Sequence, residues 1–256
     1  GELCIEELKK IRQIETRLSG RLQQLAHPEE ILNVGIGLMH SVAWMPRLLP
    51  LFHEHYPDVS VRLIEQGDEL LLKALQSNDA DIIIGGMPVS TQDVTVTLAL
   101  EQLLLIVPRA FNIIPSWAYT GNSYENPYEI DPKQLQGLPL ILPSTVNDIG
   151  GITNQVLEHF DIRPKFVTTV DSMQTAAMLV AQDMGYLFTS PIFLKAQMAE
   201  LAPNIVYCMA RGIPDSRKIV AVYHSDTYKE EMISQFLKLL RVVMFKDQPG
   251  MFPLDG

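Results

Sequence analysis

Ile31-Leu32-Asn33-Val34-Gly35-Ile36-Gly37, Val59-Ser60-Val61-Arg62-Leu63-Ile64-Glu65 and Asp81-Ile82-Ile83-Ile84-Gly85-Gly86 decide the fold class. The first is an apolar run ending in glycine and reads as a buried strand. The second alternates, with Val59, Val61 and Leu63 on one face. The third is short, continuously apolar and closed by a glycine pair. The spacing predicts a helix over Val42–His55, stopped by Pro57, and a second over Glu69–Gln76. A β-α-β-α-β order implies a parallel sheet with crossover helices.

Downstream, Val94–Leu100 and Leu103–Val107 follow each other with no room for a helix between them. A doubly wound sheet does not continue that way, so the chain leaves its first lobe here. Ala110–Pro132 reads as a long loop rich in Asn, Pro, Ser and Tyr, either a lid or an ordinary surface insertion. A second series then begins: strand Pro139–Leu142, helix Gly150–Phe160, strand Lys165–Val170, helix Ser172–Gln182, strand Gly185–Thr189. A helix near Phe193–Glu200, strands Ile205–Met209 and Lys218–Tyr223, and an amphipathic helix Lys229–Phe245 complete the chain. Two similar halves suggest two α/β lobes with a cleft between them. Ligands of open α/β sheets bind at the carboxyl ends of the strands, so facing lobes would share one site.

Upstream of Pro28 the pattern is of another kind. Cys4, Leu8, Ile11, Leu18, Leu22 and Leu25 form an a/d heptad seam broken at Glu15, and the remaining positions are mostly good helix formers. Residues 1–29 read as a coiled-coil-like dimerisation helix or as a surface helix packed on its own domain. The densest basic stretch, Lys9, Lys10, Arg12, Arg17 and Arg21, is interleaved with Glu6, Glu7 and Glu15 and reads as a solvated face. With a net charge of −10 over 256 residues, the chain is not itself expected to hold nucleic acid.

Other classes find little support. No apolar run reaches the roughly 18 residues of a membrane span, and no signal peptide is visible. Cys4 and Cys208 form neither a metal spacing nor a disulfide framework, which fits a cytoplasmic protein. The six histidines have no ligand spacing; His53 and His55 lie two apart on a predicted helix and point away from each other. No G-x-S-x-G, P-loop, G-x-G-x-x-G or H-E-x-x-H occurs, so neither catalysis nor a cofactor is expected.

Leu32-Asn33-Val34-Gly35-Ile36-Gly37, Met45-Pro46-Arg47-Leu48-Leu49-Pro50-Leu51-Phe52 and Tyr56-Pro57-Asp58-Val59 resemble the opening of the LysR-type effector-binding domain. So do Glu65-Gln66-Gly67 and the stretch Leu75–Gly85. Leu140–Ser144 and Ala176–Pro191 are similar to the second half of that domain. The likeness spans roughly Leu32 to Arg241 and rests on order and spacing rather than on any single motif. It implies two Rossmann-like lobes of the type 2 periplasmic-binding-protein fold: lobe I from residues 30–103 and 216–256, lobe II from 104–215. It also implies a linker helix over 1–29, a winged helix-turn-helix before Gly1 as the only route to DNA, and a small-molecule effector. The resemblance further implies a homodimer through Val42–His55 and Gly150–Phe160, or a tetramer of the full protein. A solute receptor on the same fold and an uncharacterised enzyme are the alternatives.

On this fold the strand-to-helix turns face the cleft. The candidate ligand-binding residues are Met39, His40, Ser41, Gln66, Gly67 and Gly86 in lobe I. In lobe II they are Ser144, Thr145, Val146, Asn147, Asp171, Ser172 and Thr189. Helix-opening N–H groups with Ser and Thr hydroxyls suit a carboxylate or other small oxyanion. None of these turns holds Arg or Lys, so a small polar, anionic or zwitterionic metabolite is expected. Met39, Met87, Val146 and Phe188 would wall it, and Asp68, Asp148 and Asp171 leave room for an amine. Capping alone would equally explain Ser41, Thr145 and Ser172. His40 reads as a donor to an anion or as a merely solvent-facing ring.

Overall fold

The computed structural model describes residues 30–86, 93–144, 148–197, 202–213, 217–245 and 251–252. The heptad segment 1–29 lies outside the described residues.

The three runs quoted first are parallel neighbours: β1 (Glu30–Ile36), β2 (Val59–Glu65) and β3 (Ile82–Gly85), with β1 in the middle. Their burial follows that order. Leu32, Val34 and Ile36 of β1 and Ile82, Ile83 and Ile84 of β3 are fully buried, whereas the edge strand β2 alternates as its sequence does. Helices α1 (Leu38–His55) and α2 (Asp68–Gln76) make the crossovers. α1 buries Trp44, Met45, Leu48 and Phe52, spaced as one helical face, each worth roughly 1.5–3 kcal/mol of burial. Pro46 and Pro50 lie on its exposed side. A Cβ on Gly35 would come within 2.8 Å of Ile83 and 2.9 Å of Leu71, so this glycine lets α2 approach the sheet.

β11 (Arg217–Tyr223) pairs antiparallel with β3, placing Val220 opposite Gly85 and Tyr223 opposite Ile82. With β4 (Val94–Glu101) and β12 (Met251–Phe252) the sheet reads β12-β4-β11-β3-β1-β2. Helix α6 (Glu230–Phe245) follows β11, and its Phe236 packs edge-on against Phe52 of α1, ring centroids 5.4 Å apart. The buried Lys229 Nζ donates to Ile31 O at 2.5 Å and to Asp81 Oδ2 at 2.7 Å. Asp81 Oδ2 also accepts from Asn33 N and Nδ2. A buried ammonium is tolerated only when paired in this way.

The second series gives β7 (Leu140–Pro143), α3 (Asp148–His159), β8 (Val167–Val170), α4 (Met173–Val180), β9 (Leu187–Thr189) and α5 (Pro191–Gln197). β7 and β8 are parallel, and a parallel bridge between Leu140 and Tyr186 aligns β7 with the start of β9. A separate sheet of order β6-β10-β5-β9 is built on β5 (Leu104–Pro108), β6 (Tyr128–Ile130) and β10 (Ile205–Ala210). The expected loop over 110–132 is therefore partly ordered structure. It contains two 3-10 turns and β6, which pairs in parallel with β10, Tyr128 opposite Cys208. Asn122 fastens the loop by accepting from Tyr207 N at 2.8 Å and donating to Tyr207 O at 2.9 Å. β6 draws its hydrogen bonds from a strand far along the chain, so its own three residues carry little sign of it.

Contacts within the chain divide it into two units. One is made of residues up to Val96 with Val220–Val243, the other of Thr97–Ile219 with residues from Met244 on. The chain changes unit inside β4, inside β11 and at the end of α6. Among the described residues no helix is long and apolar enough to cross a membrane.

Candidate functional site

In the first unit, Ile36 stands opposite both Glu65 and Ile84, so the carboxyl ends of β1, β2 and β3 lie at one edge. That register brings together Gly37, Gln66-Gly67 and Gly85-Gly86. Gly37 and Gly67 are the N-caps of α1 and α2; both are extended, and neither makes a side-chain cap. The first N–H groups of these helices are thus not capped by a side chain of the cap residue. α1 has no acidic residue in its first turn, whereas α2 has Asp68 and Glu69, which already offset its dipole. Of the two, α1 offers the better anion terminus.

Three expectations for this edge are corrected. Helix α1 begins at Leu38, four residues before the expected start, so Met39, His40 and Ser41 form its first turn rather than a preceding loop. Ser41 is not the cap: it is buried, and its N–H donates to Gly37 O at 2.9 Å. His40 is not solvent-facing either. It is buried and stacked on Trp44 with ring centroids 4.6 Å apart. The cause is Gly37, whose extended backbone caps the helix without a side-chain signal. Met39 is half-buried, Gln66 is exposed with its N–H on Ile36 O at 3.3 Å, and Gly86 directly follows β3.

In the second unit, Pro143 stands opposite Val170, and the Leu140–Tyr186 bridge carries the alignment to Thr189. Ser144, Asp171-Ser172 and Thr189-Ser190 therefore leave one edge together. Ser144 N donates to Val170 O at 2.8 Å. Ser172 is the N-cap of α4, its Oγ accepting from Thr175 N at 3.2 Å, so the capping explanation holds for it and its hydroxyl proton is left for another acceptor. Asp171 is exposed. Thr189 is 0% exposed and its Oγ1 has no hydrogen-bond partner. A buried hydroxyl left unmatched costs about 1–3 kcal/mol, and such groups are uncommon. Thr145, Val146 and Asn147, like Met87, lie outside the described residues.

A Cβ on Gly150 would fall 2.3 Å from Pro143 O and 2.9 Å from Ser144 O. The first turn of α3 thus lies directly against the backbone of the Ser144 turn, an approach only glycine permits.

Sequence reasoning missed a buried polar cluster beside this edge. Ser190 Oγ donates a short hydrogen bond to Glu101 Oε1 and accepts from Ile192 N at 3.1 Å. Arg217 Nε donates to Glu101 Oε2 at 2.5 Å. Glu101 is 0% and Arg217 8% exposed. A carboxylate standing between two apolar runs, and an arginine opening a third, were the available signals. Burial raises Tyr186 far above the ordinary tyrosine range and pushes the Cys208 thiol up to about 12, so both stay neutral. Among the described residues no group of three or more His, Cys, Asp or Glu side chains could hold a metal ion.

Two α/β units, each with helix-opening turns gathered at the carboxyl edge of a parallel strand set, define the class of periplasmic-binding-protein-like receptor domains. The family model described as the LysR substrate binding domain matches residues 26–244, and the chain belongs to that family. It is similar to a probable RuBisCO transcriptional regulator of Porphyra purpurea, 26% identical over 213 residues, 80% of this chain and 63% of that relative's length. Its fold matches the regulatory domain of Synechocystis PCC6803 CcmR in complex with 2-PG: TM-score 0.69, 17% identity, 85% of this chain and 99% of the other. It also matches the BenM effector binding domain with its effector benzoate: TM-score 0.69, 16% identity, 86% and 94% of the two chains. The fold is thus that of LysR effector-binding domains, and a transport receptor is not favoured.

Proposed function

We propose that this chain is the sensing part of a longer LysR-type transcriptional regulator that binds one small anionic or zwitterionic metabolite and acts by binding rather than turnover. Thr189 carries the reading. Its buried, unmatched hydroxyl ends β9 at the edge that also presents Ser144 and Ser172. Once the turn after β9 moves to uncover it, a ligand oxygen accepting from Thr189, or a ligand N–H donating to it, would complete the group. The first unit by itself offers an oxyanion the start of α1, which has no side-chain cap and no acidic residue in its first turn. The 2-PG and benzoate named with CcmR and BenM carry the same preference for small anions over to this chain as a hypothesis.

The regulator would reach DNA through a winged helix-turn-helix preceding residue 1, and would work in the cytoplasm. Pairing of two sensing domains through α1 is supported by Leu38 and Val42, apolar, exposed and one turn apart. Effector binding would shift the population between two arrangements by its differential affinity for them.

The test is a thermal-shift screen of small carboxylates and phosphates that starts from 2-PG and benzoate. Calorimetry on wild type, Ser144→Ala and Thr189→Val follows. A hit whose affinity falls at least about tenfold in Thr189→Val, the loss of one hydrogen bond, supports the site. Hits that bind all three proteins equally would remove this edge from the site.

A further inference from the structure

The Glu101 carboxylate has both oxygens engaged, one by Ser190 Oγ and the other by Arg217 Nε. These contacts join three places 89 and 116 positions apart along the chain. Each place has a distinct standing in the fold. Ser190 directly follows Thr189 and opens the turn into α5. Glu101 is the last residue of β4, and Arg217 the first of β11. β4 and β11 are the two strands within which the chain passes from one unit to the other. A buried carboxylate is costly unless matched on every lone-pair side it presents, so this cluster holds as a set or loosens as a set.

We propose that Glu101 is a positioning residue that makes the Thr189–Ser190 turn and the two connecting strands β4 and β11 one cooperative element. The significance of that coupling for sensing rests on the effector reading above. The displacement of a bound Thr189 would be felt at Ser190, passed through the carboxylate, and delivered to both strands at once. A plain capping role for Ser190 has a different reach. Its hydroxyl also accepts from Ile192 N, and a cap affects only the start of α5.

Amide hydrogen exchange on the full 256-residue chain, without ligand, separates the two. In Ser190→Ala, peptides covering residues 94–101 and 217–223 should exchange about tenfold faster or more, together with those covering 187–197. Ser190→Thr, which keeps a donor and an acceptor, should restore slow exchange in both strands. Faster exchange confined to residues 187–197, with both strands unchanged, would overturn the proposal. If Ser190→Ala does not fold, Ser190→Cys, a weaker donor of similar size, is read on the same peptides with the same two outcomes. Because no ligand is added, the result stands apart from the calorimetric fate of the effector reading.

Discussion

Replacing Thr189 by valine should make the ligand-free protein more stable, the reverse of what a hydroxyl deletion in a buried strand usually does. Thr189 is wholly buried and Oγ1 meets no partner, so folding strips the hydroxyl of water and returns nothing. That penalty is about 1–3 kcal/mol. Valine has nearly the same shape and keeps the β-branch that suits β9, so the change removes the penalty without opening a cavity. Taking about 2 kcal/mol and the 2–4 °C per kcal/mol typical of domains this size gives a rise in Tm of about 4–8 °C. Differential scanning calorimetry of the two proteins in ligand-free buffer measures it. A Tm for Thr189→Val below that of wild type would mean the hydroxyl has a partner inside the fold, and the case for Thr189 as a ligand contact would fail with it. A raised Tm with unchanged effector affinity would keep the energetics and remove the residue from the site.

Gly150→Ala should be costly, because its methyl would sit 2.3 Å from a backbone oxygen that cannot rotate away. A loss of about 3 kcal/mol is expected, seen as a urea midpoint shift without a change in slope; a loss below about 0.5 kcal/mol would mean α3 is not held against the Ser144 turn. Lys229→Met strands Asp81 with only its Asn33 donors and should cost about 3 kcal/mol, or about 6–12 °C in Tm; a Tm within 2 °C of wild type would show that Asp81 needs no ammonium. Burial raises the Cys208 thiol from near 9 to about 12, so ionisation opposes folding. Its stabilising contribution is complete below pH 9 and is lost as pH rises toward 12. Between pH 9 and 11 the wild type should therefore lose up to about 1.4 kcal/mol per pH unit more than Cys208→Ala in urea titrations, and parallel curves would contradict this.

The parallel strands and their crossover helices were legible because β3 is buried throughout while β1 and β2 bury alternate residues, so periodicity reports each directly. The start of α1 was not. Ser41 has the chemistry of a cap and Gly37 does not advertise itself, so the expected helix began four residues late and His40 was read as exposed. Ser172 succeeded by the same rule, since there the cap is a side chain. The alignment of Ser144, Ser172 and Thr189 followed from strand order alone. The burial of Thr189 and the Glu101 cluster depend on packing between segments far apart in sequence, which no local pattern encodes.

The divided first unit has a consequence for synthesis. β3 gains its neighbour β11 only when Val220–Tyr223 emerges, long after β1, β2 and β3 have been made. At about 5–20 residues per second, the nascent sheet waits on the order of ten seconds with Ile82, Ile83 and Ile84 on an open border. Unpaired apolar borders recruit other chains. Crowded ribosomes translating this message should accordingly gain most from a chaperone during that interval, and a circular permutant that begins at β11 and runs on into β1 would have β11 made before β3 and remove it.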